Sequence, residues 1–279
     1  MQSKKLVTVY ITTCNRPVLL ERALQSVLDQ SYESIEVIVV DDCSDDVQAY
    51  REIAERYRSY GFVFLRNDVR QGACYSRNIA IGSANGLYIT GLDDDDFFLP
   101  DRIKCFVESW NDDYSFISSG YVLKDSSGER ELYSGCREFL YHDILKGNVV
   151  GNQIFTLRDR MLHLKGFDEG LPAWQDYDLI LRMLKEYGVG LRIEAKTYVI
   201  DKSHPHESIS KNISRVKEAR QIFGKKFAAD IGIRGQLALD GNYYLYDKSL
   251  YGVWDIILQI LVGNVRLGLR LAVNKVYKR

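Results

Sequence analysis

Little in this sequence points to a crosslinked, strongly charged or membrane-spanning protein. The five cysteines, an odd number, stand at 14, 43, 74, 105 and 136 without a CxxC pair. That argues against a disulfide framework and against a structural zinc site. Their spacing is nearly even, but the flanking residues do not resemble one another, so no repeat is read. Net charge is −1, from 37 basic and 38 acidic residues, and no global field draws a nucleic acid or other polyanion. Met1 to Lys5 lacks the apolar stretch and cleavage site of a signal peptide, so a reducing cytoplasm is the expected compartment. The longest uncharged run near the carboxyl end, Ile256 to Val265, is too short to span a bilayer.

What is present is a chain able to bury a full core: 279 residues, 46% of them hydrophobic. Leu6 to Thr12 reads as a strand, followed by a helix from Pro17 with Leu19, Leu20, Ala23, Leu24, Val27 and Leu28 on one face. Ile35 to Val40, Phe62 to Leu65 and Gly86 to Leu92 read as further strands. Helices are expected after Asp46, over Gly72 to Ala84 and over Asp101 to Trp110. Strand, polar turn and helix in alternation predict an α/β layer with a mainly parallel, Rossmann-like sheet. From about residue 114 the pattern becomes mixed. A hairpin around Ser126-Ser127-Gly128, a helix near Glu138 to Lys146, a strand near Gln153 to Leu157 and a helix opening at Asp176 are expected there.

In such sheets ligands gather at the carboxyl ends of the strands. The polar residues at those ends are Thr12, Thr13 and Asn15, then Asp41 and Asp42, then four consecutive aspartates, Asp93 to Asp96. Helix capping explains any one of these turns, but not doubled and quadrupled acids. Like charges ~5 Å apart in an effective dielectric of ~20 repel by about 3 kcal/mol per pair, so the aspartate block predicts a compensating cation. Oxygen ligands on a short turn suit Mg²⁺ or Mn²⁺ with positions left for substrate phosphates.

Val7 to Pro17, Val37 to Asp45, Gly72 with Ser76-Arg77-Asn78, Asp93 to Asp96, and Gly166-Phe-Asp with Gln175-Asp-Tyr-Asp-Leu179 stand in the order of the motifs of family 2 glycosyltransferases. The sequence resembles that inverting, GT-A-fold family over roughly residues 5 to 212. The resemblance implies a nucleotide-sugar half at 1–112, an acceptor half of the same domain at 113–212, and a helical extension at 213–279. It implies a sugar moved from a nucleotide donor, UDP by family habit, to a glycan or lipid-linked acceptor in cell-surface polysaccharide or lipopolysaccharide synthesis. Thr12, Asn15, Asp42, Arg77 and Asp94 would contact the donor, and Asp93 and Asp95 would form the DxD pair for Mn²⁺ or Mg²⁺. Asp176 corresponds to the catalytic base. A histidine near the metal or diphosphate would be His204 or His206, with His206 preferred beside Ser208-Ile-Ser210. Trp174 is placed to stack on an acceptor sugar.

The chain departs from the pattern at three positions: Gln175 where Glu is usual, Cys14 where an aromatic is common, and Cys43 where glycine is common. A nucleotidyltransferase would carry a glycine-rich loop after the first strand, and Thr12 to Arg16 has no glycine. A non-catalytic sugar-nucleotide-binding subunit is the other rival, to which Gln175 lends some weight.

Trp254 to Arg279 combines a broad apolar face with basic residues and has no acid after Asp255. Two readings stand for it: a helix lying peripherally on the inner face of a membrane, or one packed on the catalytic domain or on a second copy in a homo-oligomer.

Overall fold

The computed structural model describes residues 4–151, 153–204 and 212–277. Strand β1 (Val7–Thr13) is buried along its whole length, as expected of an apolar, β-branched strand covered on both faces. It lies between parallel partners β2 (Ile35–Asp41) and β4 (Tyr88–Asp93), and β3 (Val63–Arg66) extends the sheet beyond β2. Helices α1 (Pro17–Leu28), α2 (Val47–Arg56) and α3 (Ala73–Ser83) connect these strands. Pro17 occupies the first turn of α1, and Asp46 caps α2 by accepting from the Ala49 amide at 3.0 Å. This half follows the alternation in the sequence closely.

The sheet then continues as a mixed one. After β5 (Phe97–Phe98) and α4 (Arg102–Ser109) come β6 (Ile117–Asp125), β7 (Gly128–Leu132), β8 (Arg137–Phe139), α5 (Tyr141–Ile144), β9 (Phe155–Leu157), α6 (Arg158–His163), α7 (Gln175–Tyr187) and β10 (Gly190–Asp201). The strand order is β3-β2-β1-β4-β9-β6-β10-β5, with β7 on β6 and β8 on β10. Strand β9 runs antiparallel to both β4 and β6 and joins the halves. One core cluster holds Leu20 and Val27 of α1, Ile53 of α2 and Phe106 of α4; a second holds Ala80 and Ile81 of α3 with Leu179, Ile180, Leu181, Met183 and Leu184 of α7.

The expected helix at Glu138 to Lys146 is replaced by β8 and the short α5. Phe139 is fully buried beside Phe116, ring centroids 6.5 Å apart, and its segment pairs antiparallel with β10. Long-range pairing outweighs local helical pattern here.

Beyond β10 the described chain is helical: α8 (Ile213–Lys226), α9 (Ala228–Tyr244), α10 (Val253–Leu261) and α11 (Val265–Tyr277). Helix α8 is held against α7 by Phe223, stacked on Tyr177 at 4.4 Å, and by Lys226, whose Nζ lies 2.6 Å from both Asp168 and Asp178. The tail from Trp254 is not one helix. It turns at Gly263, whose φ of +89° suits glycine, and the buried Asn264 donates to Gln259 Oε1 at 2.9 Å. Helix α11 packs inward through the fully buried Leu271, and Leu267 lies against Gly241 of α9. Its outer face, with that of α10, stays exposed. Among the described residues no helix is long and apolar enough to cross a membrane.

Candidate active site

A cavity of about 650 Å³ opens at the carboxyl ends of β1 and β4. Thr12, Arg16, Arg77 and Asp93 to Asp96 line one side, and Asn148, Trp174, Gln175 and Asp176 line the other. Thr12 is in register with Asp93 on the neighbouring strand, which sets the hydroxyl turn beside the acidic one.

The four aspartates have four different environments. Asp93 Oδ1 accepts from Arg77 Nη2 and from Gln153 Nε2, each at 2.9 Å. Asp94 is fully buried and lies 2.6 Å from Arg16 Nη2; burial pushes its carboxyl up to about 7 against the pull of that guanidinium. Asp95 Oδ2 stands 3.5 Å from Arg16 Nη1 and 3.5 Å from His204 Nε2. Asp96 points into the protein, accepting from the Tyr198 hydroxyl at 2.8 Å and the Asp201 amide at 3.0 Å. Burial, reinforced by Asp93 and Asp95, raises its carboxyl well above the usual range.

This corrects one step of the sequence argument. Repulsion within the acidic block is offset by the chain itself, through Arg77 on Asp93 and Arg16 on Asp94 and Asp95. Repulsion alone therefore does not demand a metal. The donor set does fit one: Asp93 and Asp95 offer hard oxygens to the cleft, and the His204 imidazole stands beside Asp95. Among the described residues no group of three or more acidic, histidine or cysteine side chains is placed to hold a metal ion by itself. A divalent ion here would complete its shell with ligand phosphates, as Mg²⁺ and Mn²⁺ do at nucleotide sites. His206, the preferred histidine of the sequence analysis, lies outside the described residues.

Across the cleft, Asp176 sits in the first turn of α7 and accepts from Asn148 Nδ2 at 2.9 Å. Burial pushes its carboxyl up to about 6, opposed by the Tyr177 amide and by Arg77. Trp174, at a left-handed φ of +62°, caps the helix start; its Nε1 donates to the Tyr246 hydroxyl at 3.2 Å and its ring meets Phe223 edge-on. Arg77 is the link between the two sides, paired with Asp93 and acting on Asp176.

Two residues expected at the donor are turned to other partners. Asn15 Nδ2 donates to Asp45 Oδ2 at 2.8 Å, and its Oδ1 accepts from the Asp45 amide at 2.7 Å. Asp42 accepts from the Gln71 and Gly72 amides and from Asn67 Nδ2, each at 2.8 Å, and so shapes the loop before α3. Neither lines the cavity. Sequence reasoning missed Arg16, Asn148, Tyr246 and Arg270. Arg16 lay within a quoted motif; the other three carry no local signal, because they come from a loop, from the turn after α9 and from α11.

A mixed sheet with a parallel amino-terminal half, covered by helices and carrying an acidic strand end opposite a helix-borne aspartate, is a GT-A glycosyltransferase fold. The mannosyltransferase PcManGT from Pyrobaculum calidifontis, solved with GDP-Man and Mn²⁺, aligns with a TM-score of 0.62 at 19% identity over 97% of this chain and 79% of its own. S. aureus TarS 1-349, solved with UDP-GlcNAc, gives 0.60 at 15% identity over 97% and 89%. The family profile "Glycosyl transferase family 2" matches residues 8–163. An Escherichia coli K12 protein named for colanic acid biosynthesis, the glycosyl transferase WcaA, is 32% identical over 286 aligned positions, 98% of each chain. The chain belongs to glycosyltransferase family 2 and is a glycosyltransferase, and an inverting mechanism fits that family.

Proposed function

We propose that this enzyme moves a sugar from a UDP-type nucleotide donor, with a divalent ion, to a saccharide or lipid-linked acceptor during cell-surface polysaccharide synthesis. The observation that carries the reading is the shared cleft with Asp93 to Asp96 on one wall and Asp176 on the other. The acceptor hydroxyl attacks the anomeric carbon from the face opposite the nucleotide diphosphate, and Asp176 takes its proton as the new bond forms. Asn148 orients the Asp176 carboxylate by donating to Oδ2. Arg16 and Arg77 place positive charge where the departing diphosphate gains negative charge. Asp93 and Asp95 would hold the Mn²⁺ or Mg²⁺, with His204 beside Asp95, and the ion would supply Lewis-acid stabilisation of the leaving group when bound. Thr12 and Asp94 line the donor side directly, whereas Asn15 and Asp42 shape its loops.

The carrying experiment pairs calorimetric titration of UDP and Mn²⁺ with a transfer assay. Asp95→Ala is expected to weaken Mn²⁺-dependent UDP binding, and Asp176→Asn to keep UDP binding while transfer is lost. Tight metal-dependent UDP binding by Asp95→Ala would remove the metal assignment.

The outer face of α10 and α11 extends the same reading to a membrane surface. Trp254 is 80% exposed and Leu261 77%, beside exposed Val253, Leu269, Val273 and Val276, and Arg266 lies among them. An apolar face flanked by cations suits an anionic lipid interface. Because α11 also lines the cleft, deleting the tail would disturb both functions. The sharper test is Trp254→Glu with Leu261→Glu: flotation with anionic liposomes should be lost while UDP binding persists, and unchanged flotation would count against the lipid surface.

A further inference from the structure

Arg270 enters the cleft from α11, a segment well outside the chain's catalytic motifs. Its neighbour Leu271 is fully buried, while Leu269 is 55% exposed on the outer face, so one helix packs inward, meets the outside and feeds the cleft. Among the described residues no carboxylate lies within ion-pair distance of Arg270. That sets it apart from Arg16 and Arg77, whose charges are already matched by Asp94, Asp95 and Asp93.

The surroundings of Arg270 are those of the acceptor side. Its charge acts on the Tyr246 hydroxyl, which also feels Asp176 and Tyr133 and accepts from Trp174. Tyr133, Trp174 and Tyr246 all line the cavity. Aromatic rings offer flat apolar surface to the faces of a sugar, and a guanidinium offers paired donors to an oxyanion. Arg270 is itself exposed at the rim of the cleft, so a neutral acceptor would leave its charge to water alone.

We infer that the acceptor is an anionic saccharide, whose phosphate or carboxylate group is held by Arg270 while its ring lies against Trp174 and Tyr246. This deepens the glycosyl-transfer reading and rests on it. The carboxyl-terminal helices would then select the acceptor, and the core sheet would hold the donor.

Three probes test the inference by ligand-observed NMR in the presence of saturating UDP and Mn²⁺: methyl glucoside, methyl glucuronide and glucose 1-phosphate. Filling the donor site first keeps the anionic probes from reporting on donor phosphate contacts. At least one anionic probe should bind about tenfold more tightly than the neutral glycoside, the difference expected of a charge-assisted contact. The advantage should disappear in Arg270→Gln and largely return in Arg270→Lys. Tighter binding of glucose 1-phosphate alone assigns the subsite to phosphate, and of methyl glucuronide alone to carboxylate. Equal binding of all three probes, no binding of either anion, or an anionic preference that survives Arg270→Gln overturns the inference. The UDP titration is a separate readout: if UDP fails to bind while the Arg270-dependent preference holds, the donor assignment falls and the subsite stands.

Discussion

Asp176→Asn separates catalysis from stability, because the burial that sets the affinity of this proposed base also makes it costly. Burial raises the carboxyl from 3.8 to about 6. As a base it must be ionised, so about nine-tenths is active at pH 7 and about one-tenth at pH 5. Transfer should fall roughly tenfold over that interval, where a carboxylate of ordinary affinity would hold nearly constant. The stability effect has the opposite sense. A folded-state value raised above the unfolded one means that the protonated group favours folding; its contribution is fully present below pH 3.8 and is lost as pH rises through about 6. Two pKa units correspond to about 3 kcal/mol at most, and exposure to the cleft reduces this to roughly 1–2 kcal/mol. Asparagine removes that cost and can still accept from Asn148 through its amide oxygen. Asp176→Asn should therefore lose about 10²- to 10⁴-fold in transfer and unfold at a higher temperature at pH 8, with the gain gone by pH 4. Rate measurements from pH 5 to 8 and melting curves at pH 4 and pH 8 check both halves. A flat rate profile to pH 5, or ordinary turnover by the variant, would refute the base assignment; a variant less stable at pH 8 would refute the desolvation argument.

Arg16→Ala leaves the buried Asp94 carboxyl without its guanidinium and should cost up to about 3 kcal/mol, the low end for a broken buried pair, since the arginine is partly exposed. Adding Asp94→Asn should recover much of that loss in denaturant melts; a double variant as unstable as the single one would show that the pair is not the cause. His204→Ala should weaken Mn²⁺ in the UDP complex by roughly tenfold or more, read by calorimetry, and unchanged affinity would move the histidine role away from this residue. Gly91→Ala would drive a methyl group onto Gln153 Oε1 and to within 2.5 Å of the Tyr10 ring. It should destabilise the fold by about 1–3 kcal/mol and disturb the Gln153 bond to Asp93, whereas a neutral melting temperature would mean that the strand can shift to make room.

The first half of this protein is legible from its residues because its structure is local. β-branched, largely apolar runs such as Leu6 to Thr12 read as interior strands. Each is followed by a polar turn and an amphipathic helix, so the carboxyl ends of β1 and β4 had to share one rim with Thr12 and Asp93 side by side. The same logic marked Asp176 as an acid opening a helix. Tertiary structure decided what lay beyond that range. Glu138 looks helical until β10, more than fifty residues later, pairs with its strand. The charge of the aspartate block reads as a demand for metal until Arg16 and Arg77 arrive beside it. The tail reads as a single helix, on a membrane or packed on protein, until Gly263 turns it and Arg270 reaches the cleft. Periodicity reports which face of an element is apolar; it carries no information about which distant charge will neutralise a buried one, because that depends on contacts made only when the chain has closed on itself.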